Sequence, residues 1–268
     1  MTSPRHRPAP AMHEVTVASV SQLTPRMRRI TFAGEQLAGY PNDGPATHCK
    51  LVLPGGGQAQ VVLPTPGPDG RMRWPDPRPV LRTYTPRYVD RAARHLVVDF
   101  ALHDHGGPAT AWAQTARAGD AAVVTGGRGA YRVDPEADWT LLVADETALP
   151  AVGTIVEDAP GGAQVLLVAE VADEAEELTF DTPAELTTVW RHRGAARDGF
   201  GMLAARAVRD LALPAGRGAC WVGLEAGAMR TVRRHLLGER GLDRPQVYTR
   251  GYWKLGVADH PDHDTGED

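Results

Sequence analysis

Apolar and polar residues alternate with a period of two through much of the first half of the chain, the pattern of half-buried strands. Residues 13–20 alternate in this way, and 28–32 follow directly after Thr24-Pro25. Further short runs at 48–53, 60–63, 81–85 and 95–102 are separated by Gly/Pro clusters, notably 54–57 and 64–70. Six such strands with turns between them predict a small antiparallel barrel. Residues 108–116 predict its helix, 121–125 its closing strand, and 126–129 a glycine-rich loop. Near Asp134-Pro135-Glu136 the pattern changes. Apolar strand runs at 140–144, 164–169, 186–190, 220–223 and 246–252 then alternate with helical periods at 148–157, 201–211 and 226–238. That alternation predicts a parallel, doubly wound sheet.

The expected fold class is therefore α+β with two domains, an N-terminal antiparallel β-barrel (12–133) and a C-terminal α/β parallel-sheet nucleotide domain (138–258). Residues 1–11 hold prolines and arginines with no apolar stretch and read as a disordered tail rather than a signal peptide. Residues 259–268 read as an acidic tail, and no internal repeat is visible.

At 268 residues the chain has room for both domains, and its net charge of −4 gives no general attraction to nucleic acid. Any basic site is local. No apolar run approaches the roughly 20 residues that span a bilayer. The two cysteines, Cys49 and Cys220, are far apart in apolar contexts and read as buried free thiols, compatible with a cytoplasmic location. They cannot supply an iron–sulfur cluster. His103 and His105 have no third ligand at metal-binding spacing, so no resident metal is expected.

The most informative segment is Arg82-Thr83-Tyr84-Thr85. An Arg can fork onto phosphate, a Tyr ring can lie on an isoalloxazine, and a Thr hydroxyl can reach a ring nitrogen. About twenty residues on, His103 and Gly107 precede the expected helix and Pro108-Ala109-Thr110 open it, and its first N–H groups suit a pyrophosphate. Together the segments favour a flavin over an ordinary strand with a surface Arg.

After the first strand of the second half stands Asp145-Glu146-Thr147-Ala148, with Thr147 as a candidate N-cap. Such a turn in a parallel sheet suits a pyridine nucleotide, but a simple capped helix fits it equally, and no GxGxxG is present. Glu225 falls at the equivalent turn of a later strand, either beside the nucleotide or as a carboxylate on the helix dipole. Lys50 and Lys254 read by themselves as surface lysines, although Tyr252 and Trp253 beside Lys254 could face a planar or anionic ligand. Glu170 could favour an unphosphorylated ribose, and Arg191 and Arg193 a 2′-phosphate.

Five motifs in order, Leu23 to Arg29, Arg82 to Thr85, Gly107 to Ala113, Ala144 to Ala151 and Gly251 to Lys254, make the chain resemble the siderophore-interacting proteins of the ferredoxin–NADP reductase-like superfamily. The resemblance runs from about Val15 to Gly256. It implies FAD held by the barrel, with Asp99 among its site residues, and NADH or NADPH held by the α/β domain. It implies reduction of a ferric siderophore, drawn to Lys50, Tyr252, Trp253 and Lys254 near the flavin, in a monomer. A ferredoxin stays open as an alternative donor. Lys254 stands where the family often has Arg, Thr110 where Ser is common, and His105-Gly106 departs from an acidic loop. A flavin reductase with another acceptor, or a non-enzymatic siderophore-binding protein, remains compatible with the same residues.

Overall fold

The computed structural model describes residues 11–55, 58–68, 72–103, 107–196, 199–261 and 264–266. Strands β1 (Met12–Thr24) and β2 (Met27–Ala33) form a long hairpin. Its Val15, Val17, Ile30 and Phe32 point into the core. β3 (Cys49–Leu53), the ribbon of β4 (Thr65–Pro66) and β5 (Met72–Arg73), β6 (Val80–Tyr84), β7 (Pro86–Asp90), β8 (His95–Ala101) and β9 (Ala121–Thr125) follow. Apart from the ribbon they join one antiparallel sheet in the order β6-β3-β9-β1-β2-β8-β7. Its two edges, β6 and β7, are separated in sequence by Thr85 alone. The sheet must therefore curl until those edges meet, as the barrel reading requires. Helix α1 (Pro108–Thr115) plugs one end, with the Trp112 ring 6.3 Å from Phe32 and 6.0 Å from Phe100.

The strand expected at 60–63 does not form; residues 61–64 have no regular structure. The apolar run there lies between Pro54 and Pro64 and finds no pairing partner in the sheet. In its place β7 supplies a strand that the sequence reading passed over because it opens on Pro86. At the first residue of an edge strand the missing N–H costs no ladder bond.

In the second domain β10 (Trp139–Asp145), α2 (Leu149–Glu157), β11 (Gln164–Val171), β12 (Glu185–His192), α3 (Met202–Asp210), β13 (Gly218–Glu225), α4 (Ala226–Arg234) and β14 (Val247–Trp253) build a parallel sheet ordered β12-β11-β10-β13-β14. β10 is buried throughout, as a central parallel strand covered on both faces must be. Leu141 and Val143 face the layer of α3 and α4, while Leu142 and Ala144 face α2. The strand order reverses between β10 and β13, so the carboxyl ends of these two strands open a crevice.

Barrel and sheet are tied together by polar contacts. Ala46 N–H donates to Thr154 of α2 at 2.8 Å, and Thr24 Oγ1 and Arg26 N–H donate to the Glu176 carboxylate. Arg87 on β7 forms a two-pronged ion pair with Glu157 at the end of α2. Both cysteines are buried and free, and burial pushes each thiol up to about 12.

Candidate functional site

A cavity of about 720 Å³ lies where the barrel seam meets the carboxyl edge of the parallel sheet. Arg82, Thr83, Tyr84, Thr85, Asp99, His103, Gly107, Pro108, Ala109 and Thr110 line it from the barrel, and Glu146, Thr147, Tyr252, Trp253 and Lys254 from the sheet. His105 lies outside the described residues.

On the barrel side, strand pleating and the seam bring the Arg82 segment opposite the start of α1. The Arg82 guanidinium donates to its neighbour's carbonyl, Leu81 O, at 2.7 Å and lies 3.4 Å from the Asp259 carboxylate. The Tyr84 ring packs 4.4 Å from Phe100, which seats it against the core, and burial raises its phenol above the ordinary range. Thr110 is buried, and its hydroxyl lies 3.1 Å from the His103 ring nitrogen. Gly107 precedes α1 in extended conformation, with Pro108 filling the first helical position where no N–H is needed. A forked cation, a buried hydroxyl, a helix N-terminus and a flat aromatic around one cavity are the donor set that a flavin dinucleotide would need.

On the sheet side, Asp145 organises the crevice. Only 2% exposed at the end of β10, it accepts from Thr147 N–H at 3.0 Å, Glu225 N–H at 2.9 Å and Trp253 Nε1–H at 2.9 Å, and from the Thr147 hydroxyl. One carboxylate thus ties together the turns after β10 and β13 and the end of β14. Burial and the nearby Glu146 raise its pKa, while the Thr147 and Trp253 donors oppose that rise. The helix begins at Leu149 with Ala148 at the cap position, and the Thr147 hydroxyl serves Asp145 rather than capping the helix as expected. Glu146 forms a two-pronged pair with Arg193. The Arg193 guanidinium lies 4.9 Å from the Phe200 ring, and Phe200 meets Trp253 edge-on at 5.1 Å. Thr85 and Tyr252 line the cavity from opposite domains.

Asp145, Ala148, Glu225 and Lys50 are not among the lining residues. Glu225 caps α4, accepting from Gly227 N–H at 2.6 Å and Ala228 N–H at 3.1 Å. Lys50 pairs with Thr83 in the barrel ladder and donates to its hydroxyl at 2.7 Å. Glu170 is fully buried and caps α3, accepting from Gly201, Leu203 and Ala204 N–H groups at 2.8, 2.9 and 3.1 Å. Its carboxylate is taken up by these donors and does not line the cavity, so it gives no support to an unphosphorylated nucleotide. Asp99 does line the cavity but is itself held by the Arg29 fork at 2.7 and 2.8 Å.

The sequence reading missed several lining residues: Phe200, Trp221, Tyr248 and Arg250. Arg26 also lines the cavity and sits within the first quoted motif, so its signal was present. Phe200 stands in a Gly-rich loop with no pattern that marks it. Among the described residues no group of three His, Cys, Asp or Glu side chains could hold a metal ion, and no helix is long and apolar enough to cross a membrane.

Comparison with known proteins matches residues 16–131 to the siderophore-interacting FAD-binding domain and residues 137–256 to the siderophore-interacting protein family. The chain is 30% identical over 241 residues to the ferric vibriobactin reductase ViuB of Vibrio cholerae serotype O1, covering 88% of this chain and 87% of that protein. It is 39% identical over 140 residues to the NADPH-dependent ferric-chelate reductase of Escherichia coli K12, covering 52% of this chain and 54% of the other. A siderophore utilization protein from T. fusca superposes with a TM-score of 0.83 at 40% identity, covering 94% of this chain and 96% of that one. The ferredoxin reductase of carbazole 1,9a-dioxygenase and phthalate dioxygenase reductase, each under 20% identical, share the fold.

Proposed function

The chain belongs to the siderophore-interacting protein family, and from that membership and the cleft we propose that it is an oxidoreductase that reduces ferric siderophores with FAD and NAD(P)H. When bound, FAD supplies the conversion between a two-electron hydride donor and a one-electron acceptor, Fe³⁺, whose reduced form binds hard oxygen ligands far less tightly.

The observation that carries the reading is the shared cavity. Cationic and hydroxyl groups of the barrel and the carboxyl edge of the parallel sheet line one space, with Thr85 and Tyr252 on its two walls. Arg82, the α1 N-terminus and Thr110 are suited to hold the cofactor's phosphates. Thr147 and Glu146 stand at the strand-to-helix turn suited to the nucleotide. Asp145 holds that turn in register with Trp253. Exposed Lys254 lines the cavity together with Arg26 and Arg250, so an anionic ferric complex that enters meets positive charge. The protein needs no metal ligands of its own, because the iron arrives chelated.

The test is anaerobic. The FAD-loaded protein is mixed with NADH or NADPH, the flavin absorbance is followed, and the reduced protein is then mixed with ferric catecholates, ferric hydroxamates, quinones or free flavin. Rapid reoxidation by ferric siderophores above the other acceptors is expected. Equal rates with quinone or free flavin would favour a general flavin reductase. A protein that never retains flavin would favour a binding module. Reduction by a ferredoxin but by neither nucleotide would move the donor.

A further inference from the structure

Arg87 lies two residues beyond the flavin motif and belongs to none of the expected site residues. It is 7% exposed, yet it points across the domain boundary. Its Nη1 donates to Glu157 Oε2 at 2.6 Å while Nη2 donates to Oε1, the planar fork-on-fork geometry that fixes direction as well as distance. Its Nε lies 3.9 Å from Asp99 Oδ2, and Asp99 in turn is gripped by Arg29. The Tyr88 ring lies between the two guanidinium groups, 4.2 Å from Arg87 and 5.3 Å from Arg29, and its hydroxyl reaches Glu157 at 3.3 Å. Two cations and two carboxylates balance in this cluster, so the pair is not left as an uncompensated buried charge.

The helix it grips is shaped to receive it. At Gly153 a Cβ would lie 2.8 Å from both Cζ and Nη2 of Arg87, so the guanidinium lies flat on the bare helix backbone. Helix α2 begins directly after the turn that lines the cavity. On the other side, β7 begins directly after Thr85, which lines the cavity on the barrel wall. The clamp therefore joins, from behind, the two segments whose front ends face each other across the cleft.

We propose that Arg87 is a positioning residue for hydride transfer: by locking β7 onto α2 at Gly153 and Glu157, it sets the separation between the flavin and nicotinamide sites. The proposal rests on the functional reading above. Transfer between two bound groups falls steeply when they are misplaced by about 1 Å, so a clamp on the inter-domain distance acts on rate rather than affinity.

The experiment uses the full-length protein with Arg87→Met, Arg87→Lys and Gly153→Ala. Gly153→Ala displaces the guanidinium without removing any charge, and it carries the test should Arg87→Met not accumulate as folded protein. With FAD bound, the limiting rate of flavin reduction by NADPH or NADH is expected to fall about tenfold or more in Arg87→Met and Gly153→Ala. The half-saturating nucleotide concentration, FAD affinity and reduction by dithionite should stay within about twofold of wild type. Arg87→Lys keeps the charge without the fork and should fall between. In the cofactor-free protein, amide hydrogen exchange should quicken in residues 86–90 and 149–157 in the same variants. Unchanged limiting rates alongside quickened exchange would overturn the proposal, leaving an ion pair that only stabilises. Unchanged exchange would overturn it as well. A wild-type flavin reduced by neither nucleotide would bring down the functional reading and the proposal together, an outcome separate from normal wild-type reduction matched by the variants.

Discussion

Arg82 and Lys254 are the residues on which the proposed chemistry bears most directly. Arg82 faces the cavity beside the α1 N-terminus, and its charged partner, Asp259, is largely exposed and 3.4 Å away, an arrangement that a phosphate would readily displace. Arg82→Ala should weaken FAD binding roughly 10- to 100-fold, the range for losing one or two charge-assisted hydrogen bonds. Flavin retained through dialysis is the measurement, and full occupancy in the variant would exclude this anchor. The two lysines, read alike from the sequence, differ in the structure. Lys254 lines the cavity, whereas Lys50 is engaged with Thr83 and does not. Lys254→Ala should raise KM for an anionic ferric siderophore several-fold, with a weaker effect at high salt and on a neutral ferric hydroxamate. Lys50→Ala should change KM less. Equal effects of the two variants on both substrates would reduce Lys254 to a surface cation.

At the scale of elements, Glu170 shows why a side chain at the end of a parallel strand is ambiguous in sequence. A carboxylate there can meet a ribose or a helix N-terminus, and only the path of the loop that follows decides. Here that loop brings Gly201, in a left-handed conformation at φ 76°, and the first turn of α3 onto both oxygens. Glu170→Ala leaves three donors, two of them buried, without their acceptor and should destabilise the protein by about 1–3 kcal/mol in thermal or urea unfolding. The ratio of NADH to NADPH efficiency should not change, and a marked change would return Glu170 to the nucleotide site. The elements that were legible had strong periodicity and one burial solution, as in the β1–β2 hairpin and β10. Those that were not legible depended on distant partners. Residues 60–63 have strand composition but nothing to pair with, and β7 looks like a turn until its edge position makes Pro86 harmless. The Arg82 and Thr110 segments could be read because their chemistry is local. The Arg87–Gly153–Glu157 contact could not, since its members lie on different domains and each is commonplace alone.

For the whole molecule, the cleft exists only because two independently wound halves meet, so perturbing their contacts should alter reactivity before it alters folding. Thr154→Val removes the hydroxyl that accepts from Ala46 N–H across the two domains without emptying space, and should slow flavin reduction by nucleotide more than it lowers the melting temperature. A melting shift with normal reduction kinetics would assign that contact to stability alone. The barrel seam carries a further consequence, for the order in which the protein is made. Because Thr85 joins the two edges of a sheet in which β9, the last strand made, fits between β1 and β3, the barrel is complete once β9 has left the ribosome. By then Arg82 and Thr110 already face each other. The parallel sheet instead needs β13 beside β10 and β14 beside β13, and these emerge about a hundred residues later. A nascent chain can therefore present the barrel wall that carries Arg82 and Thr110 while the opposite wall is still being translated, so the half proposed to hold the cofactor is folded before the half proposed to hold the reductant.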